Sequence, residues 1–140
     1  MSEIAARMGL TMLAKLDAML AVRGEAAAIV TRALQRAGIA VCATGHMDRA
    51  SNYKLIVRLP DGRDGEAVKA ALKCAGIVCG GGVYDAPCHL QPVFAGIHRT
   101  DAALATATRW CPRHVCPPIT SGTSAADAER IGEALVRALT

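Results

Sequence analysis

Residues 52–59, NYKLIVRL, alternate without a break. Tyr53, Leu55, Val57 and Leu59 fall on one side of an extended backbone, and Lys54, Ile56 and Arg58 fall on the other. That period describes a strand with one buried face, and such a face needs neighbouring strands and a covering layer of helices. Pro60, Asp61 and Gly62 follow as a turn. Asp64 then caps a helix that turns Val68, Ala71, Leu72 and Ala75 inward and ends at Gly76. Residues 77–79, Ile-Val-Cys, read as the next buried strand. The unit fits a right-handed parallel crossover or a split antiparallel arrangement, and the pattern alone leaves both open.

The flanking segments are helical. Ser2 caps a first helix with Glu3 in its opening turn. Ile4, Met8, Met12, Leu13, Leu16 and Leu20 make an apolar stripe along it, and Gly9 and Gly24 are the points where a long helix can bend or break. A second stretch over residues 26–36 carries Val30 and Leu34 on one side and stops at Gly38. The pattern suits an ordinary core helix, and a role in joining domains or subunits is the second reading. Residues 39–42 form a short strand and residues 44–51 a polar loop, with His46 solvated.

Asp101 caps a helix holding Leu104, Ala107 and Cys111, which Pro112 stops, and residues 114–119 are extended. Ser124 and Asp127 form a capping box, and Ile131, Leu135 and Ala138 mark the last helix. The expected fold is an α+β sandwich: a sheet of three to four strands packed by helices, preceded by a long N-terminal helical segment.

With 140 residues, the chain is long enough for one domain with its own core. Half the residues are apolar but only Phe94, Trp110, Tyr53 and Tyr84 are aromatic, so the core is built from Ala, Leu, Val and Ile. The net charge of +4 comes from scattered basic residues, without the clustered stripe and stacking aromatics of a nucleic-acid surface. No secretory signal precedes the six cysteines, which points to reduced thiols and a cytoplasmic location. No apolar run approaches the ~18 residues that would make a membrane span.

The densest chemistry lies in residues 77–94, IVCGGGVYDAPCHLQPVF. Three glycines allow positive φ or close approach, but no phosphate-loop Lys-Ser/Thr follows and no helix opens there, so nucleotide binding is weakly supported. Pro87 and Pro92 fix the backbone around His89 and Gln91, which are the candidates for ligand contact or for hydrogen bonds within the loop itself. Cys88 and His89 are adjacent and point apart in extended chain, which disfavours a nucleophile–base pair. Cys111, His114 and Cys116 lie close together, yet paired Cys-x-x-Cys halves are missing, so a metal site is disfavoured.

These motifs resemble the small domain of the DegT/DnrJ/StrS sugar aminotransferases, pyridoxal-phosphate enzymes of the aspartate-aminotransferase fold. The resemblance runs almost end to end. Residues 1–10, MSEIAARMGL, and 13–23, LAKLDAMLAVR, are similar to the segment joining the family's large and small domains. Residues 52–59 resemble the small domain's first main strand, residues 83–94 its Tyr–Pro–His–Leu–Gln–Pro loop, and residues 111–119, CPRHVCPPI, the stretch before its final helix.

The resemblance implies a single small domain over 1–140, with residues 1–38 as helical connector and 39–140 as sheet-and-helix body. The family's cofactor lysine and pyridinium-facing aspartate belong to its large domain, and none of Lys15, Lys54, Lys69 and Lys73 matches the catalytic position. The expectation is the C-terminal portion of a sugar aminotransferase that is not catalytic alone and holds no cofactor by itself, pyridoxal phosphate belonging to the complete enzyme. Tyr84, His89 and Gln91 are the implied substrate-side residues, for a nucleotide-linked keto-sugar aminated from glutamate or glutamine. The implied partner is a large-domain chain, or a second copy, through Ile4, Met8, Leu13 and Leu16. The alternative is a non-catalytic binding or interaction module derived from that domain.

Overall fold

The structure, a computed structural model, describes residues 2–42, 44–48, 50–79, 86–94, 96 and 104–140. Helix α1 spans Glu3–Leu13, and the Ser2 hydroxyl accepts the Ala5 amide at 3.2 Å as its cap. Helix α2 runs Leu16–Arg36. The break between them falls at Ala14 and Lys15, not at Gly9 or Gly24, and α2 passes through Gly24 without interruption. A Cβ at Gly24 would make only ordinary contact, 3.8 Å from the Asn52 amide nitrogen, so the packing there does not require glycine. Gly38 ends α2 and Gly76 ends the next helix, each with positive φ (71° and 74°), as terminal glycines do.

Strand β1, Val57–Arg58, pairs antiparallel with β2, His114–Val115 (Val57 with Val115, Arg58 with His114). Among the described residues the sheet has these two strands, not three or four. The 39–42 segment contributes an isolated antiparallel bridge from Val41 to Val57, and the Cys42 amide donates to the Ile56 carbonyl at 3.0 Å. Residues 77–79 are not a strand: the Ile77 amide donates back to the Leu72 carbonyl at 2.9 Å, Ile77 is buried and Val78 is exposed. The alternation of residues 52–59 survives as burial, with Leu55, Val57 and Leu59 inside. Tyr53 is exposed, because Asn52 takes positive φ (48°) and turns the chain just before it.

Helix α3, Gly65–Cys74, is capped by the Asp64 carboxylate, which accepts the Glu66 and Ala67 amides. It buries Val68 and Leu72, while Ala71 and Ala75 are exposed. Asp101, the expected cap of helix α4 (Ala105–Trp110), lies outside the described residues, and Leu104 stands at the N-cap position without a side-chain bond. A 3₁₀ turn over Cys111–Arg113 follows, and the Arg113 guanidinium holds the Asp61 carboxylate at 2.6 Å. Helix α5, Ala125–Leu139, has the expected reciprocal box between Ser124 and Asp127. These bonds hold the Asp127 carboxyl below its ordinary range, Ser124 contributing most.

Helices α2 and α5 make the most extensive contact between elements. A Cβ on Gly132 would lie 2.9 Å from the Ala33 Cβ, so only glycine permits that approach. Val30 and Leu34 of α2, Ile131 and Leu135 of α5, and Val68 and Leu72 of α3 join Val57, Leu59 and Val115 in one core. The sheet therefore has a face covered by helices and, by strand alternation, a second face bearing Lys54, Ile56, His114 and Cys116. Among the described residues no helix is long and apolar enough to cross a membrane.

Candidate functional site

The second face of the sheet is covered by the 86–94 loop and by α4 with its 3₁₀ extension. Between the layers lies a cavity of about 370 Å³, within the range that accommodates small ligands. Lys54 and Ile56 form its floor with His114 and Cys116, Ala86, Pro87 and Cys88 form one wall, and Trp110 and Cys111 another.

The loop is fixed as a proline-bracketed segment should be. Pro87 leads into a 3₁₀ turn over Cys88–Leu90 and Pro92 opens another over Pro92–Phe94. His89 Nε2 lies 2.9 Å from the Thr108 hydroxyl, tying the loop to α4. Gln91 Nε2 donates to the Ala86 carbonyl at 3.0 Å. Gln91 thus bonds within the loop itself, whereas the His89 bond reaches out of the loop to α4. Neither lines the cavity, whereas their neighbours Pro87 and Cys88 do. Tyr84, the third expected site residue, lies outside the described residues.

His114 is the polar group the sequence reading passed over as a site residue. Only 6% of it is exposed, and its Nδ1 is shut off from solvent without a hydrogen-bond partner. A buried polar atom left unpaired costs about 1–3 kcal/mol, so its retention calls for a reason. The Trp110 indole stacks on the imidazole with centroids 5.0 Å apart and planes 23° from parallel. The signal was present in the sequence: His114 and Cys116 are two apart in an extended segment and so share a face. Together with Cys111 they had suggested a metal set. They do meet at one cavity, but among the described residues no group of three His, Cys, Asp or Glu is placed to hold an ion.

Burial and the neighbouring Cys116 push the Cys79 thiol up to about 11, against a smaller opposing effect of Lys69, so it stays protonated and poorly nucleophilic at neutral pH. The lining offers one amine, Lys54, and, among the described residues, no carboxylate. This donor set does not fit pyridoxal phosphate, which needs both. A larger hollow of about 500 Å³ lies between α2 and residues 41–56, with Thr31, Arg32 and Gln35 on its helical wall. Arg32 and Gln35 are exposed and, among the described residues, the hollow's lining has no buried polar atom lacking a partner, so the smaller cavity is the better candidate.

A model of the DegT/DnrJ/EryC1/StrS aminotransferase family matches residues 1–136. No curated protein matches the chain. Among solved structures, Spr1654 of Streptococcus pneumoniae, assigned as a sugar aminotransferase and solved in its PMP form, is similar at 18% identity and a TM-score of 0.85, over 99% of this chain and 35% of that one. The aminotransferase TlmJ from Streptoalloteichus hindustanus is similar at 24% identity and a TM-score of 0.80, over 97% and 36%. Helicobacter pylori PseC, an aminotransferase involved in the biosynthesis of pseudoaminic acid, gives 13% identity and a TM-score of 0.80, over 94% and 35%. The chain thus spans about a third of the length of each.

Proposed function

Because the chain belongs to the DegT/DnrJ/EryC1/StrS aminotransferase family, we propose that it forms the small domain of a pyridoxal-phosphate-dependent sugar aminotransferase and is not catalytic alone. The observation that carries this reading is the extent of the likeness: nearly all of this chain superposes on about a third of each longer enzyme. Among the described residues the cavity lining has no carboxylate and no lysine but Lys54, which supports the second half. In this reading residues 1–38 connect, residues 39–140 form the body, and the chain works in the cytoplasm. Tyr84, His89 and Gln91 contact a nucleotide-linked keto-sugar, with the loop bonds of His89 and Gln91 presetting their orientation.

The partner in this reading is the cofactor-bearing large domain. Ile4, Met8, Leu13 and Leu16, all exposed along α1 and the start of α2, form the face that meets it. Mixing the chain with pyridoxal phosphate, recording the visible spectrum and reducing with borohydride tests the proposal. The expected result is no stoichiometric band and no labelled lysine. Stoichiometric trapping on Lys15, Lys54, Lys69 or Lys73 would show a cofactor site within this chain and overturn it.

A further inference from the structure

We infer that the hollow of about 500 Å³ between α2 and residues 41–56 binds a small organic acid, a carboxylate carried on an apolar alkyl or aryl body. The inference does not rest on the aminotransferase reading, because it uses only the walls of this hollow. The volume lies within the range that holds small ligands. Lys54 and Ile56 border this hollow as well as the smaller cavity, and the rest of its lining is separate.

The floor is apolar. Ala27 and Leu55 are buried, and Val41 and Ile56 extend the same surface. On the helical wall Gly24, Ala27, Ala28 and Thr31 recur at three- and four-residue steps, so α2 turns only small side chains to this stretch and leaves the space open. The charge is of one sign. Arg32 and Lys54 belong to the lining, and among the described residues it contains no Asp or Glu. Arg32 makes no ion pair among the described residues. Ala28, Ile29, Gln35 and Arg36 are its neighbours three and four residues away, so no carboxylate stands beside it on its own helix.

Backbone geometry adds a third donor. The Ala40 carbonyl accepts from Arg58 and the Cys42 amide donates to Ile56, so both groups face β1. The C=O and N–H of one trans peptide point opposite ways, which turns the Val41 amide to the outer edge of the sheet. It has no backbone bond of its own among the described residues. Cationic groups and a spare amide beside an apolar floor fit an amphiphilic anion. A free phosphate or a sugar leaves the floor in contact with water, and an uncharged hydrocarbon leaves Arg32 and the amide unused.

Isothermal titration of the full chain with octanoate and phenylacetate tests the inference, with octanol and acetate as controls that each lack one half. Saturable binding of at least one of the two larger acids, and none of octanol or acetate, is expected. Arg32→Gln removes the charge from an exposed side chain and should weaken that binding about tenfold, the scale of a lost charge-assisted hydrogen bond. Ala28→Phe fills the hollow from an exposed helical position and should abolish binding, and both variants should keep the unfolding midpoint. Iodoacetamide labelling supplies a readout on the unaltered chain. The bound acid should slow alkylation of Cys42, which lines the hollow, and leave the exposed Cys74 outside it unchanged. No saturation up to millimolar acid, equal binding of octanol or acetate, affinity unchanged in either variant, or equal protection of the two thiols would each overturn the inference.

Discussion

Helices α1 and α5 start alike and end in opposite environments. Each opens on a serine whose hydroxyl accepts a backbone amide three residues on, at 3.2 Å from Ala5 and 3.1 Å from Asp127. Both carry apolar residues at helical spacing. Yet α5 buries Ala128, Ile131, Gly132, Ala134, Leu135 and Leu139, and α1 buries nothing. Caps and periodicity specify that a helix forms and which side is apolar; burial requires a second surface, and α5 has α2. The stripe of α1 meets no such surface among the described residues.

The largest expected effect follows from that contrast. Leu135 is fully buried in the core that α5 shares with α2, α3 and the sheet. Leu135→Ala should destabilise the chain by about 3 kcal/mol, through lost transfer energy and the cavity left behind. Leu10→Ala on α1, where the side chain is 68% exposed, should change stability by less than about 0.5 kcal/mol. Urea unfolding of the two variants measures the difference. Equal losses would mean that α1 is packed in solution.

The caps sharpen the comparison at a smaller scale. Ser124→Ala removes the acceptor for the Asp127 amide and should cost about 1 kcal/mol. It should also flatten the acid limb of the stability curve. Asp127 has its folded pKa lowered below the ordinary value of 3.8, first by Ser124 and then by Arg130. Between those values the unfolded state binds more protons, so the contribution is present above the unfolded pKa and is lost as pH falls through the folded one. Wild type should therefore lose more stability than Ser124→Ala on acidification from pH 5 to pH 2. Parallel curves would remove Asp127 from the account.

The same division between local and long-range information explains what was legible in the sequence. Ser2, Asp64 and the Ser124–Asp127 box were readable because a cap involves residues two or three apart. The inward face of residues 52–59 was readable because burial alternates wherever one side of a strand is covered. Strand count was not, because pairing depends on distant partners: Ile77 bonds back to Leu72, and the 39–42 segment keeps a single bridge. The helix break at Ala14 and Lys15 carries no glycine or proline signal. At the candidate site, His89 and Gln91 stood out through their flanking prolines. His114 was hidden because its significance depends on Trp110 stacking over it and on a cavity assembled from three separate segments.

A smaller effect separates His89 from the core. Its bond to Thr108 joins two exposed segments, so His89→Ala should cost under about 1 kcal/mol, the usual net value of such a bond. Thermal unfolding checks this. A loss beyond about 2 kcal/mol would make His89 a structural anchor and remove it from the substrate-side residues.

The smallest effect on stability, and the one that returns to the opening contrast, belongs to the α1 stripe itself. Met8→Glu with Leu16→Glu places two carboxylates on side chains that are 65% and 40% exposed. With no buried partner to disrupt, the shift in unfolding free energy should stay within about 0.5 kcal/mol. Association is where the pair should act. Ile4, Met8, Met12 and Leu13 recur at helical spacing on α1, Leu16 follows the break at the start of α2, all are exposed, and soluble monomers seldom leave apolar patches of more than a few hundred Å² uncovered. Their burial at roughly 25 cal/mol per Å² favours association, although ordering and lost translational freedom cancel much of the gain. In the proposed reading this face meets the large domain of an aminotransferase, and self-association is the expected behaviour when that domain is absent. Sedimentation at micromolar concentration should find oligomers of the wild-type chain and monomers of the double variant, and only wild type should co-purify with a large-domain polypeptide. A monomeric wild type whose double variant retains the large domain equally well would leave α1 without a role as an interface.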